Sequence, residues 1–170
     1  MDGIQSFIDR IQSPALRAVA EHWREARGAR LMPNWSHLSS SVLAPHFKLL
    51  WGFRYNPRSK EFTAGLTGEH IREWVGEKFD GARLLDIHPP AIFREAHHHL
   101  TQIVTAPSAC RSSGRLFTVG NHTVSGERIA LPLAADGVTG DGIFGASDYQ
   151  SPHVSGPIEL IHENLEWYAL

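Results

Sequence analysis

Three consecutive histidines, His97, His98 and His99, stand in the segment REAHHHLTQIV at residues 94–104. Imidazole is the commonest metal ligand and titrates near neutral pH, so the triplet is the first place to look for chemistry. Successive residues of a regular helix stand about 100° apart at ~3.6 residues per turn. Three neighbours therefore fan over about 200° and cannot converge on one ion. A helix-borne pair of histidine ligands needs i,i+3 or i,i+4 spacing. Positions 93, 94, 95, 101 and 102 are Phe, Arg, Glu, Thr and Gln, so no such pair exists and no metal site is expected. On this helix Ile92, Phe93, Ala96, Leu100, Ile103 and Val104 make the apolar face. His98 lies opposite and belongs in solvent. His97 borders Phe93 and Leu100 and can reach a cavity, while His99 borders Ile92 and Ile103 and can meet Glu95 one turn back.

Other chemistry-bearing residues are sparse. Cys110 is the single cysteine. It excludes an internal disulfide and a Cys-rich zinc site, and in SACRSSG it reads as an ordinary strand residue. Asp86-Ile-His88-Pro-Pro looks like a dyad, but the simpler role of Asp86 is to cap the turn that enters the long helix. GLTGEH and GVTGDG are turns, since neither is a phosphate-binding loop in its required setting. Trp51 and Trp74 are the tryptophans expected beside a pocket, because aromatic side chains dominate such walls.

The elements that must position these residues follow from pattern. Asp2 caps a first helix with Ile4, Phe7, Ile8 and Ile11 at helical spacing. Ser13-Pro14 starts a second helix, with Leu16, Val19, Ala20 and Trp23 as its stripe and Gly28 as its stop. KLLWGFRY, the turn NPRS and KEFTAGLTG make a hairpin. Short helical pieces lead to the long helix PAIFREAHHHLTQIVTAP. GRLFTV, ERIALPLA and GDGIFGASDY are strands, and Pro132 demands an edge or a bulge. PIELIHENLEWY, with Ile158, Ile161, Leu165 and Tyr168 at helical spacing, predicts a closing helix. Two strands, a helical crossover and three strands predict an α+β fold, a five-stranded antiparallel sheet with helices on one face.

Composition bounds the function. The chain has 170 residues and a net charge of -2, with no basic block, which argues against binding nucleic acid through phosphates. No apolar run is long enough for a membrane span, and the polar start MDGIQSFIDRIQ is unlike a secretion signal. A cytoplasmic protein is expected.

The order of elements is that of a PAS domain, and local motifs sharpen the match. Trp23, Arg27, Gly28, Arg30 and Pro33, then Gly65, Gly76 and Gly81, then Leu131, Pro132, Leu133, Asp136 and Gly137 resemble a stand-alone PAS-like family of alphaproteobacterial regulators. Leu66 departs from it, standing where threonine is usual. The resemblance covers roughly residues 14 to 150. It implies a sensory or regulatory domain, not an enzyme, that holds an unknown small molecule or a protein partner and passes on a conformational change. Division follows as an N-terminal helical extension (1–30), a PAS-like domain (31–150) and a helical C-terminal tail (151–170). The expected ligand-binding residues are Trp51, Trp74, Phe93, His97, Leu100, Leu131 and Phe144. The ligand is unknown. PAS oxygen sensors carry a haem-ligating histidine on this helix, but the register of His97 does not match theirs, and no further haem motif and no flavin-type cysteine motif is present, so neither cofactor is expected. A homodimer that buries the Ile4, Phe7, Ile8, Ile11 stripe is one expectation for the N-terminal helices; folding back on their own domain is the other. Two alternatives stand beside the sensor. One is a ligand-free interaction module, with Trp74, Phe93, Phe117 and Phe144 meeting in a filled core. The other is a small isomerase- or hydratase-like enzyme using Asp86 and His97.

Overall fold

The computed structural model describes residues 2–76 and 79–170. It is α+β, with a curled antiparallel sheet. The strands are β1 (Leu50–Asn56), β2 (Glu61–Thr67), β3 (Ser108–Val119), β4 (His122–Leu133), β5 (Gly142–Tyr149), β6 (Ile158–Leu160) and β7 (Asn164–Ala169). Their order is β2-β1-β5-β4-β3-β6, and β7 shares the outer edge of β3 with β6. The helices are α1 (Gly3–Arg10), α2 (Pro14–Arg27), α3 (Ser40–Leu43), α4 (Glu69–Val75), α5 (Leu84–Ile87) and α6 (Pro90–Thr105).

Local signals form the first two helices as expected. The Asp2 carboxylate accepts from the Ile4 amide, and Ser13 Oγ from the Leu16 amide, with Pro14 in the first turn. Gly28 ends α2 at φ +56°, a conformation that costs a residue without Cβ nothing. The apolar stripes of both helices then pack on one face of the sheet. Ile4, Phe7, Ile11, Leu16, Val19 and Trp23 are wholly buried there against Ile129, Leu131, Leu133 and Phe144. Trp23 Nε1 donates to the Pro132 carbonyl at 3.0 Å. The stripe that a homodimer would have needed is therefore consumed inside one chain. The sheet is also covered on both faces rather than one, since α4 to α6 pack on the other.

A buried charge network fixes the turn between α1 and α2. The Glu127 carboxylate accepts from the backbone amides of Gln12 and Ser13 and from Arg111 Nε at 2.6 Å. Arg111 reaches on to Glu166 of β7 at 2.8 Å, and Ser13 Oγ donates to Asp148 of β5. Three donors at the start of α2, two backbone amides and one hydroxyl, thus end on carboxylates of the sheet.

The C-terminal segment differs from the expectation. Residues 158–169 form two strands, not a helix. Their apolar spacing fits either period over so short a run. The open edge of β3 decides it, because six successive β3 residues from Ser108 to Ser113 pair with Ala169 to Asn164. The sheet accordingly has seven strands, not five. Pro132 sits where β3 no longer flanks β4, since that pairing ends at Cys110 and Ala130. Its missing N–H therefore leaves no ladder bond unmade on that side. No helix among the described residues is long and apolar enough to cross a membrane.

Candidate ligand cavity

Side chains alternate across a strand, so each strand of the sheet contributes one set to each face. On β4 the odd positions Glu127, Ile129, Leu131 and Leu133 face α1 and α2. The even positions Arg128 and Ala130 face α6. There the sheet and α4 to α6 enclose a cavity of about 180 Å³.

Register builds its floor in rows. Trp51, Gly145, Ala130 and Cys110 lie side by side on β1, β5, β4 and β3. Gly145 must be glycine, because the Trp51 indole lies where a Cβ would stand. The next row is polar: Ser147 on β5, Arg128 on β4 and Ser112 on β3. Tyr149 follows one step further along β5. The walls are apolar, with Ile71, Trp74 and Val75 from α4, Ile92, Leu100 and Ile103 from α6, and Leu84. Trp74 stands edge-on to Phe117 and Tyr149 at 5.2 and 5.4 Å, closing one end.

The electrostatics centre on Arg128. Its one side-chain hydrogen bond among the described residues is to Tyr149 Oη at 3.1 Å, and its guanidinium lies 5.9 Å from the Tyr149 ring. No carboxylate of the described residues pairs with it. Trp51 Nε1 donates to Ser147 Oγ at 2.9 Å, which leaves the Ser147 proton free to point elsewhere. Burial lowers the pKa of His88, also in the wall, to about 4, with the charge of Arg128 adding to the effect. Burial pushes the Cys110 thiol up to about 12, only partly opposed by Arg128. Cys110 is thus a neutral thiol at physiological pH and no nucleophile.

The residues singled out in the sequence divide between places. Trp51, Trp74 and Leu100 line the cavity. Leu131 and Phe144 do not: they lie on the other sheet face beneath α1 and α2. Phe93 and His97 sit toward β2, their rings tilted against each other at 5.3 Å, with His97 also edge-on to Phe62 and its Nε2 2.8 Å from the Lys60 carbonyl oxygen. Trp74 and Phe117 meet, but Phe93 and Phe144 stand apart from them, so no filled four-aromatic core forms. Among the described residues Asp86 caps no helix; it is exposed and paired with Arg83 at 2.9 Å, while Pro89 precedes α6 with no side-chain cap. Asp86 and His97 do not share the cavity.

Sequence reading passed over Arg128, Ser112 and Ser147, and weighed His88 only as half of a dyad with Asp86. One signal was present. ERIALPLA places Ile129, Leu131 and Leu133 on one face, so Arg128 must lie on the other, among Ala130 and whatever neighbouring strands supply. Comparison with known proteins adds no relative: no family model, curated protein or solved structure matches the chain.

Proposed function

We propose that this chain is a PAS-like sensory or regulatory domain whose cavity binds a small anionic molecule with an apolar body. The observation that carries the reading is Arg128, a permanent cation set in the floor of an apolar cavity with a phenol as its only side-chain partner among the described residues. Arg128 is half-buried, and a cation partly withdrawn from water favours a counter-charge beside it. A bound carboxylate supplies that counter-charge, and the hydroxyls of Ser112, Ser147 and Tyr149 can donate beside it. A cavity of about 180 Å³ suits a ring-sized body. The order of two strands, helices and then β3 to β5, side by side as β2-β1-β5-β4-β3, supports the PAS-like reading, with β6 and β7 added at the edge.

Signal transmission follows from the neighbour of Arg128. Glu127 points to the opposite face and holds the start of α2 through the Gln12 and Ser13 amides. A ligand that draws Arg128 toward one position shifts β4, and with it the seat of α1 and α2. The ligand acts only through its different affinity for the two arrangements.

Calorimetric titration with aromatic and short aliphatic carboxylates, each beside its neutral amide, tests the proposal. The acids should bind and the amides should bind at least about tenfold more weakly, as expected for hydrogen bonds to a charged group. Arg128→Met should abolish that preference. Equal binding of acid and amide removes the role given to Arg128. If no compound binds, and native mass spectrometry of fresh protein gives the bare sequence mass, a ligand-free interaction module takes the place of the sensor.

A further inference from the structure

We propose that Glu95, His99 and His162 form a binding site for one divalent transition-metal ion of the zinc class. Glu95 and His99 are four residues apart on α6, so both side chains rise from one face. His162 comes from the connector between β6 and β7, which the edge of β3 holds over α6. One ligand atom from each of the three lies within 4.8 Å of the others. His162 Nε2 and Glu95 Oε1 are already in contact, and the rings of His99 and His162 stand edge-on at 4.9 Å.

The three side chains bring two imidazoles and a carboxylate to one place. A divalent ion can use all three at once, because each neutral imidazole offers a nitrogen lone pair and the carboxylate supplies charge. Ligand bonds of about 2.0–2.2 Å put the three donor atoms a little over 3 Å apart in a tetrahedral site. The donors are close enough to reach that spacing by small side-chain rotations. No lysine or arginine of the described residues is paired with Glu95 to compete for it. Two nitrogens and one oxygen favour zinc, copper or nickel over calcium or magnesium, which demand oxygen shells.

Three protein ligands leave a fourth position. His99 and His162 both belong to the cavity wall, so that position adjoins the cavity and takes a water or a donor atom of a bound ligand. The histidine triplet plays a smaller part than its appearance suggests. Only His99 is used, and its partners are an acid one turn back and a histidine far along the chain. Ligation would tie α6 to the C-terminal strands and set the mouth of the cavity. The site stands independently of the anion reading.

Zinc alone, titrated into metal-free protein against a chromophoric chelator, tests the assignment. One equivalent should bind, and His162→Ala and Glu95→Gln should each weaken binding by at least about tenfold, since even loss of a supporting outer contact costs 10–100-fold. His98→Ala, which alters an exposed residue of the triplet, should leave affinity unchanged. Cobalt in place of zinc should give the intense visible bands of a tetrahedral site. Far-UV circular dichroism of each metal-free variant checks that the fold is retained. The proposal is overturned if no stoichiometric binding is seen. It is equally overturned if His162→Ala and Glu95→Gln bind zinc like the parent, or if His98→Ala is as damaging as either, because the triplet then binds metal adventitiously.

Discussion

At the scale of single residues, His88 makes the sharpest statement. It is held neutral in the cavity wall with its pKa near 4, against 6.5 for a free side chain. The unfolded chain therefore binds a proton that the folded chain refuses between these values. Stability is full above about pH 6.5, declines as pH falls through that range, and levels off below about pH 4. The difference amounts to about 3 kcal/mol from this residue. Burial and the neighbouring His162 lower the pKa of His99 as well, which steepens the same slope. Urea unfolding at pH 7.5 and pH 4.5 should show the loss, and His88→Gln should remove most of it. An unchanged pH dependence in that variant would mean that His88 is hydrated. Residue identity alone could not reveal this. His88 read as half of a dyad with Asp86, yet Asp86 on α5 and His88 in the extended residue after it point apart: one toward Arg83 and water, the other into the cavity.

Elements were legible where their determinants are local. Asp2, Ser13-Pro14 and Gly28 act within one helical turn, and the stripes of α1 and α2 are set by near neighbours, so the boundaries follow from the sequence. The choice of partner is another matter. Whether Ile4 and Phe7 meet a second copy or their own sheet depends on Ile129 and Phe144, more than a hundred residues away. Whether residues 164–169 are helix or strand depends on the free edge of β3. The polar row Ser112, Arg128, Ser147 likewise exists only through register between three strands, and no single stretch contains it. The α1–α2 turn shows how such distant links carry stability. Glu127→Ala strips a buried carboxylate from Arg111 and orphans two backbone amides, and should cost about 3–5 kcal/mol. Glu127→Gln keeps an acceptor for those amides and should cost less. Equilibrium denaturation of the two variants measures the difference; equal losses would assign the whole effect to the Arg111 charge.

For the whole molecule, the central fact is one sheet serving two layers of helix. Ile4, Phe7, Ile11, Leu16 and Trp23 are wholly buried on one side. Each contributes about 1.5–3 kcal/mol of burial, so together they rival the 5–15 kcal/mol that holds a typical domain folded. Deleting residues 2–27 should therefore yield an insoluble or unfolded chain rather than a trimmed domain. A soluble truncated protein with native near-UV circular dichroism would show that the second layer stands alone. The N-terminal helices are part of the fold, although their position ahead of the strands suggested an extension. They also meet β7, far along the sequence. Phe7 stands edge-on to Tyr168 at 5.5 Å, Arg10 pairs with Glu166 at 2.7 Å, and Gly3 is pressed against the Ala169 carbonyl. Helix α1, synthesised well before β7, thus finds its full seat only when β7 has been made. Loops spanning nearly the whole sequence must close before either is secure, and such high contact order slows folding. A nascent chain would leave the ribosome with α1 waiting, its apolar face exposed to whatever chaperones are at hand.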